Sequence, residues 1–336
     1  MEDKNKILTL TDVSIGYTGR NTSPVFSHIN VGFSRGELVA VIGKNGIGKS
    51  TLLRTVAGLQ EPLSGNITLD GRELHSYSRL ETATRIGFVS TEPVRVNNMY
   101  VADLVALGRY PYTGWLGKLN SDDWKKVLEA LEMVGMQGFV KRNFNEISDG
   151  ERQRAMIART LAQDTDLIIL DEPTAFLDMP AKYEIISLLC KLVEEKKKSV
   201  IFTTHDLNTA MQSVDRMMLM DNEAIITGAP EDLALAGYFD LFSDKDKITF
   251  DREAGDFRIV RTPEHAICLV GEGIERIWTE RALFRAGFKT GAPDDLNGTV
   301  FVTQNDGVPE WALKKGSDAF IFKSVYEMAA CLRGMI

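Results

Sequence analysis

The chain has 336 residues, 44% of them hydrophobic and 26% charged, with a formal net charge of −8; this is a globular composition, long enough for two domains and too acidic to suggest a nucleic-acid-binding face. Its three cysteines, Cys190, Cys268 and Cys331, are far apart and odd in number, which argues against a disulfide framework or a zinc site and for a reducing compartment. The polar start Met1–Lys6 lacks the apolar core of a secretion signal, and no uncharged apolar run approaches membrane-spanning length, so the expectation is a chain soluble by itself and able to dock on a membrane protein.

Residues 7–17 read as a strand and Val25–Phe33 as a second, ended by the turn Ser34-Arg35-Gly36; together they predict a small antiparallel sheet beside a nucleotide core. Tyr17 lies just past the first strand, where its ring has two readings, contact with a base or packing on the sheet rim. The buried-strand run Leu38-Val39-Ala40-Val41-Ile42 leads into Gly43-Lys44-Asn45-Gly46-Ile47-Gly48-Lys49-Ser50-Thr51, and a helical pattern follows from Thr51 to Ala57. Strand, glycine-rich loop and helix form the context in which a G-x-x-x-x-G-K-[ST] run binds phosphate. Glycines at 43, 46 and 48 let the backbone curl so that N–H groups converge on an anion, and the helix N-terminus adds its positive pole. Lys49 can then reach the β- and γ-phosphates of a nucleotide, and the Ser50 hydroxyl can coordinate Mg²⁺.

Ser64–Gly71 reads as a strand between turns, and residues 86–91 as another that runs into a loop at Glu92-Pro93. From about 99 to 163 the pattern is helical. Ser121-Asp122-Asp123 starts one helix, with Trp124, Val127, Leu128, Leu131 and Val134 at helical spacing and Trp124 expected as a core anchor. Gly135 and Gly138 end it. Ser148 and Glu151 fit a capping box at the start of the next helix, which runs through Arg159 to Gln163. Leu167–Leu170 followed by Asp171 and Glu172 predicts a buried parallel strand with acids at its C-terminal edge, the edge at which ligands of open α/β sheets bind. Asp171 is placed there to hold Mg²⁺ and Glu172 to polarise an attacking water. A long helix is expected over about 180–197, with Tyr183, Ile186, Leu189 and Val193 on one face and a solvated tail, Glu194–Lys198. Ser199–Thr204 reads as the next strand, with His205 at its end beside the nucleotide site, and Arg216–Met220 and Ala224–Thr227 as a hairpin over Asp221-Asn222-Glu223.

The composition shifts from about residue 240, where charged, turn-rich sequence over 241–256 predicts a linker. Beyond it, Ala266–Val270 and Thr299–Thr303 read as strands, and Ile274–Ala286 and Ser324–Arg333 as helices, which makes 257–336 a small α/β domain of unknown role. Gly271-Glu272-Gly273 supplies half of a dinucleotide fingerprint, but Arg276 stands where the third glycine belongs, so a second nucleotide site is not expected.

Five of these elements, in this order, resemble those of ABC-type ATPases. Gly43–Ser50 is similar to the Walker A loop, Ile147–Arg154 to the family signature, Leu167–Glu172 to the Walker B strand with its catalytic glutamate, Pro173–Asp178 to the D-loop, and Thr203-Thr204-His205-Asp206 to the switch histidine. The resemblance covers roughly residues 6–240. It implies an α/β P-loop fold with antiparallel β and helical subdomains, the ATPase domain spanning 1–240 and its helical part about 92–160. It also implies a head-to-tail dimer binding two ATP molecules with Mg²⁺. Lys49, Glu172 and His205 would be catalytic, and Ser50 and Asp171 would hold the metal. Tyr17 would stack on adenine, while Ser148, Asp149, Gly150 and Glu151 would face the ATP of the partner, with Asp178 in the D-loop. Such dimers drive a membrane permease from the cytoplasmic face of the inner membrane, served by an external binding protein. Leu107-Gly108-Arg109-Tyr110-Pro111-Tyr112 resembles the branch that imports ferric siderophores, haem or cobalamin.

Two departures stand out. Asp149 replaces the signature's usual second glycine, and Thr91 with Glu92 next to it replaces the lid glutamine, so contact with Mg²⁺ passes to Thr91 or Glu92 or weakens. The other reading of the motifs is a soluble ABC ATPase without a permease; the compact helical segment, the lack of a long coiled coil and the acidic charge favour the importer.

Overall fold

The computed structural model describes residues 5–17, 23–92, 94, 96, 98–114, 117–222, 224–244, 246–291, 298–305 and 307–335. They form two compact units, Met1–Phe242 and Ser243–Ile336.

In the first unit, β1 (Lys6–Tyr17) and β2 (Ser23–Ser34) pair antiparallel, and β3 (Leu38–Gly43) leads to the phosphate loop and α1 (Lys49–Val56). β4 (Ser64–Leu69) and β5 (Arg72–Glu73) complete a four-stranded sheet in the order β2-β1-β4-β5. The short helix α2 (Arg79–Ala83) precedes β6 (Ile86–Val89), after which come α3 (Val101–Ala106), α4 (Ser121–Met133) and α5 (Asp149–Ala162). β7 (Leu167–Leu170), α6 (Met179–Glu194), β8 (Ser199–Thr203), α7 (Leu207–Met211), β9 (Arg216–Met220), β10 (Ile225–Gly228) and α8 (Pro230–Leu235) follow.

The central sheet has the order β10-β9-β3-β8-β7-β6 and is parallel except at β10. Every residue of β3, β7 and β8 is buried. This is why these strands read in the sequence as unbroken apolar runs rather than alternations. Val39 and Val41 pack in one core with Leu52, Leu53 and Val56 of α1 and with Leu8 and Leu10 of β1, so the antiparallel sheet and the phosphate-loop helix share one interior.

Two helical expectations need correction. Trp124 is not a core anchor: it is 39% exposed and Leu128 is 50% exposed. The buried stripe of α4 is centred on Val127, Ala130 and Val134, and Trp124 and Leu128 lie to one side of it. On α6, Ile186, Leu189 and Val193 are buried as expected, but Tyr183 falls outside a stripe centred between Ile185 and Leu189 and is exposed. The tail of that helix is not wholly solvated either, because Lys198 donates to Asp164 at 3.3 Å.

Where a linker was expected over 241–256, the second unit instead opens with a hairpin of β11 (Ile248–Asp251) and β12 (Asp256–Ile259). The charged residues from Asp251 to Asp256 form its turn, in which Asp251 accepts from the backbone N–H groups of Glu253 and Ala254. β13 (His265–Val270), α9 (Gly273–Arg285), β14 (Phe288–Gly291), β15 (Thr299–Asn305), β16 (Val308–Lys315), β17 (Asp318–Phe322) and α10 (Val325–Arg333) follow, with the sheet order β14-β13-β15-β16-β17. Ile267, Leu269, Val300, Val302 and Leu313 of the sheet close on Leu283, Met328 and Leu332 of the two helices, which gives this unit its own core. β14, β16 and β17 are not evident in the sequence. β14 is four residues long, β16 holds Pro309 and two terminal lysines, and β17 is an edge strand with most side chains exposed.

Candidate nucleotide site

The site lies along the C-terminal edge of the central sheet, where β3, β7 and β8 deliver their next residues side by side. β7 and β8 run parallel with Leu170 opposite Phe202, so Asp171 and Thr203 leave the sheet together. Thr203 Oγ1 donates to Asp171 Oδ1 at 2.8 Å and accepts the Glu172 backbone N–H at 2.7 Å. Ser50 Oγ donates to the same Asp171 oxygen at 3.0 Å. His205 Nε2 and Glu172 Oε1 are 2.6 Å apart. One hydrogen-bonded line therefore joins Ser50, Asp171, Thr203, Glu172 and His205. Glu172 holds it with φ +47°, a left-handed conformation that costs a residue with a Cβ about 1–2 kcal/mol.

The phosphate loop is built as the sequence indicates. Gly48 has φ +109°, and a Cβ there would meet Val25 Cγ1 at 2.6 Å, so only glycine fits. α1 begins at Gly48 without a side-chain cap. Its first N–H groups are therefore left to an anion, the partner a helix N-terminus favours. Lys49 is 6% exposed, and its Nζ donates to the carbonyls of Gly43 at 2.8 Å and Lys44 at 3.1 Å. Burial pulls the Lys49 ammonium below the ordinary lysine range, and the Glu172 and Asp171 carboxylates push partly back. A bound polyphosphate would push the same way, so binding takes up a proton at alkaline pH and weakens as pH rises through the lowered Lys49 value. Asn45, Gly46, Ile47 and Thr51 complete the loop, and the Ile47 N–H donates to Lys44 at 3.3 Å. Tyr17 sits at the end of β1 with its hydroxyl 3.1 Å from Thr51 Oγ1 and the residue 64% exposed, so its ring stands free beside the loop.

The donor set suits Mg²⁺. The ion takes hard oxygen ligands, typically one or two carboxylates plus phosphate and water oxygens, and Ser50 Oγ and Asp171 Oδ1 converge at hydrogen-bond distance. Among the described residues no cluster of three acid, histidine or cysteine side chains exists, in keeping with a metal that relies on the nucleotide for most of its ligands. Thr91 and Glu92 are turned elsewhere in this structure. Thr91 Oγ1 donates to the Asp171 carbonyl at 2.7 Å, and Glu92 pairs with Arg54 at 2.7 Å.

The signature residues are held in a second place, at the start of α5. Ser148 and Glu151 form the capping box reciprocally, the Ser148 N–H donating to Glu151 at 2.8 Å. Asp149 does not stand free, since Arg152 one turn on reaches its carboxylate at 2.9 Å. Gly150 lies against α6, where its added Cβ would meet Ala181 Cβ at 3.3 Å, and Asp178 caps α6 by accepting the Ala181 N–H at 3.0 Å. A cavity of about 570 Å³ opens between these places; Thr91, Asp149, Arg152, Phe176 and Glu172 contribute to its wall. Thr203, the first residue of the switch motif in the sequence, is the member of the site to which motif reading gives no role. The available signal is a hydroxyl that follows the apolar run Val200–Phe202, two residues before the switch histidine.

Comparison with known proteins identifies the family of the chain. Residues 26–175 match the family described as ABC transporter, and residues 264–333 match the iron ABC transporter C-terminal domain. The chain is 38% identical over 258 residues to a protein of Methanocaldococcus jannaschii described as an uncharacterized ABC transporter ATP-binding protein, covering 76% of this chain and 88% of that one. It is 39% identical over 210 residues to a petrobactin import ATP-binding protein of Bacillus anthracis, covering 62% and 77%. Among solved structures, a dimeric bacterial ABC transporter cassette aligns with a TM-score of 0.59 at 28% identity, over 66% of this chain and 98% of that one.

Proposed function

The chain belongs to the ABC transporter ATP-binding family, and from that premise we propose that it couples ATP hydrolysis to import of an iron chelate of the siderophore class through a membrane permease. ATP hydrolysis as part of a transporter follows from the family itself. The chelate rests on the relative named for petrobactin import and on the iron transporter C-terminal match. The observation that carries the catalytic reading is the unbroken line Ser50–Asp171–Thr203–Glu172–His205 beside the phosphate loop.

In that reading Lys49 and the loop N–H groups neutralise and orient the phosphates. Ser50 and Asp171 would hold Mg²⁺, which when bound supplies charge neutralisation between the β- and γ-phosphates. Glu172 polarises the attacking water, and His205, already 2.6 Å from its carboxylate, fixes the direction of that group. Tyr17 offers its exposed ring to adenine. The start of α5, with Ser148 and Gly150, closes on the nucleotide of a second protomer in a head-to-tail dimer, the same helix-terminus logic as the phosphate loop. The cavity walled by Thr91, Asp149 and Glu172 gives a permease element one place in which to sense lid, signature and catalytic base together. No helix among the described residues is long and apolar enough to cross a membrane. The protein is accordingly proposed to attach peripherally at the cytoplasmic face, with a substrate-binding protein acting on the far side. A soluble, permease-free ATPase is not favoured, since the relatives carry transport names.

The test is recovery of tagged Glu172→Gln protein from gently solubilised membranes with ATP and Mg²⁺. Without its base the variant should accumulate as an ATP-bound dimer and bring down a polytopic permease in comparable amount. A dimer that forms without any membrane partner would defeat the transport reading.

A further inference from the structure

We propose that the C-terminal unit holds a binding site for a small organic polyanion, a compound carrying two or more carboxylate or phosphate groups on a short carbon body. The site goes beyond the importer function and does not depend on it.

A cavity of about 390 Å³ lies between the C-terminal end of α9 and the length of α10, and Arg261, Arg285 and Arg333 all line it. Among the described residues, none of these three arginines pairs with a carboxylate. Their hydrogen bonds go to backbone: Arg261 Nη1 donates to the Arg285 carbonyl at 2.8 Å, and Arg333 Nε to the Ala329 carbonyl at 3.4 Å. The other arginines of the unit differ. Arg258 pairs with Asp251 at 2.7 Å, Arg276 with Glu280 at 3.7 Å, Arg281 stacks over Trp278 at 4.9 Å, and Arg252 also has a partner. Arg281 also lacks a carboxylate partner but has the Trp278 ring; Arg261, Arg285 and Arg333 have neither a carboxylate nor a ring partner and converge on one cavity, and among the described residues no acid lines it.

Three cations facing one space repel one another, and the unit as a whole has slightly more acidic than basic side chains, so the convergence is local. A guanidinium presents its donors as a planar fork that matches the two oxygens of a carboxylate or phosphate. The backbone bonds fix two of the three forks while leaving other N–H groups to a ligand. The helix-end positions of Arg285 and Arg333 are favourable for cations in any case. Arg261 has no such reason to be there, since it belongs to the segment before β13.

The rest of the lining explains why the ligand is organic. Ala282 and Ala286, one turn apart on α9, and Ala329 on α10 give an apolar floor whose small side chains keep the space open, and the exposed Tyr326 ring stands at the rim. The volume suits a compound at the small end of ligand pockets.

Titration calorimetry on the full chain tests the site, run with saturating ADP so that the phosphate loop is occupied, with citrate and glycerate 2,3-bisphosphate as separate probes at matched free Mg²⁺. At least one probe should bind saturably at one site per chain; preference for citrate assigns polycarboxylates, and the reverse assigns phosphates. Arg285→Gln and Arg333→Gln should each weaken binding about tenfold or more, the loss expected for a charged hydrogen-bond donor. Arg333→Lys should restore part of it. Ala286→Leu, which fills the cavity without changing charge, should abolish binding, and Arg281→Gln should leave it unchanged. No saturable binding of either probe, or equal affinity in the Arg285 and Arg333 variants, would overturn the proposal and leave those arginines as helix-end cations only.

Discussion

At the scale of single residues, the site depends on groups that do two things at once. Thr203 accepts the Glu172 N–H and donates to Asp171, so one hydroxyl sets both the backbone of the proposed base and the carboxylate proposed to hold the metal. Thr203→Val should cost about 1–3 kcal/mol in stability, because it leaves the Glu172 N–H unpaired and removes one of the two donors to Asp171 Oδ1, and should lower kcat more than it raises KM. Thr203→Ser should restore kcat, and a valine variant with unchanged kcat would show that the hydroxyl is structural only. Asp149 shows how a neighbour changes a charge. Its carboxylate is engaged by Arg152 at 2.9 Å, so the acid that stands in place of the signature's second glycine is locally compensated. Asp149→Gly should therefore change ATPase turnover by less than about threefold, since exposed pairs contribute little. Steady-state kinetics of the variant at saturating ATP would reveal a larger rise if the carboxylate faces phosphate after all.

Among the elements, the motif Leu107–Tyr112 acts as a clamp inside the helical part. Gly108 allows backbone contact, since a Cβ there would lie 2.0 Å from the Arg159 carbonyl oxygen of α5. Arg109 is buried, donating to Asp123 of α4 at 2.9 Å and to the Ala162 carbonyl of α5 at 2.9 Å, with its guanidinium 3.9 Å from the Tyr112 ring centre. The motif that marks a branch of the family in sequence thus joins α4 to α5 in space. Arg109→Ala should destabilise the protein by about 3 kcal/mol, because it strands a buried carboxylate; a urea midpoint within error of the parent would refute the clamp. The Asn120 N–H, and then Arg109, hold the Asp123 carboxyl below the ordinary carboxylate range. A carboxyl depressed in the folded state contributes stability above its unfolded value of about 4 and loses it as pH falls through the lowered folded value. Urea midpoints followed into acid should show that loss in the parent and a moderately smaller one in Arg109→Ala, since the Asn120 N–H, the larger cause, remains.

For the whole molecule, the two units have separate hydrophobic cores. The nucleotide residues all come from the first. A chain ending at Phe242 should therefore stay folded and keep ATP affinity within about threefold of the full chain, as measured by nucleotide titration. Loss of nucleotide binding on truncation would mean that the second unit supports the first. Transport and ATPase rate of the same chain, compared with the full protein, would report whether the C-terminal unit regulates.

The sequence by itself determined the chemistry and its order along the chain. The phosphate loop, the acids after β7, the capped start of α5 and the histidine after β8 are each set by local backbone demands, a glycine-only turn, a helix cap, a buried parallel strand, which leave a signature within a few residues. Tertiary structure decided what depends on partners distant in the chain. It turned Trp124 and Tyr183 outward, because helix periodicity gives a stripe but not which neighbour covers it. It folded Ile248–Ile259, the later part of the charged stretch and the residues after it, into a hairpin, whose two strands are short and find their stability in each other. Thr203, Arg109 and the arginines of the C-terminal cavity acquired their roles in the same way, from side chains brought together across strand register and helix packing, which no single segment encodes.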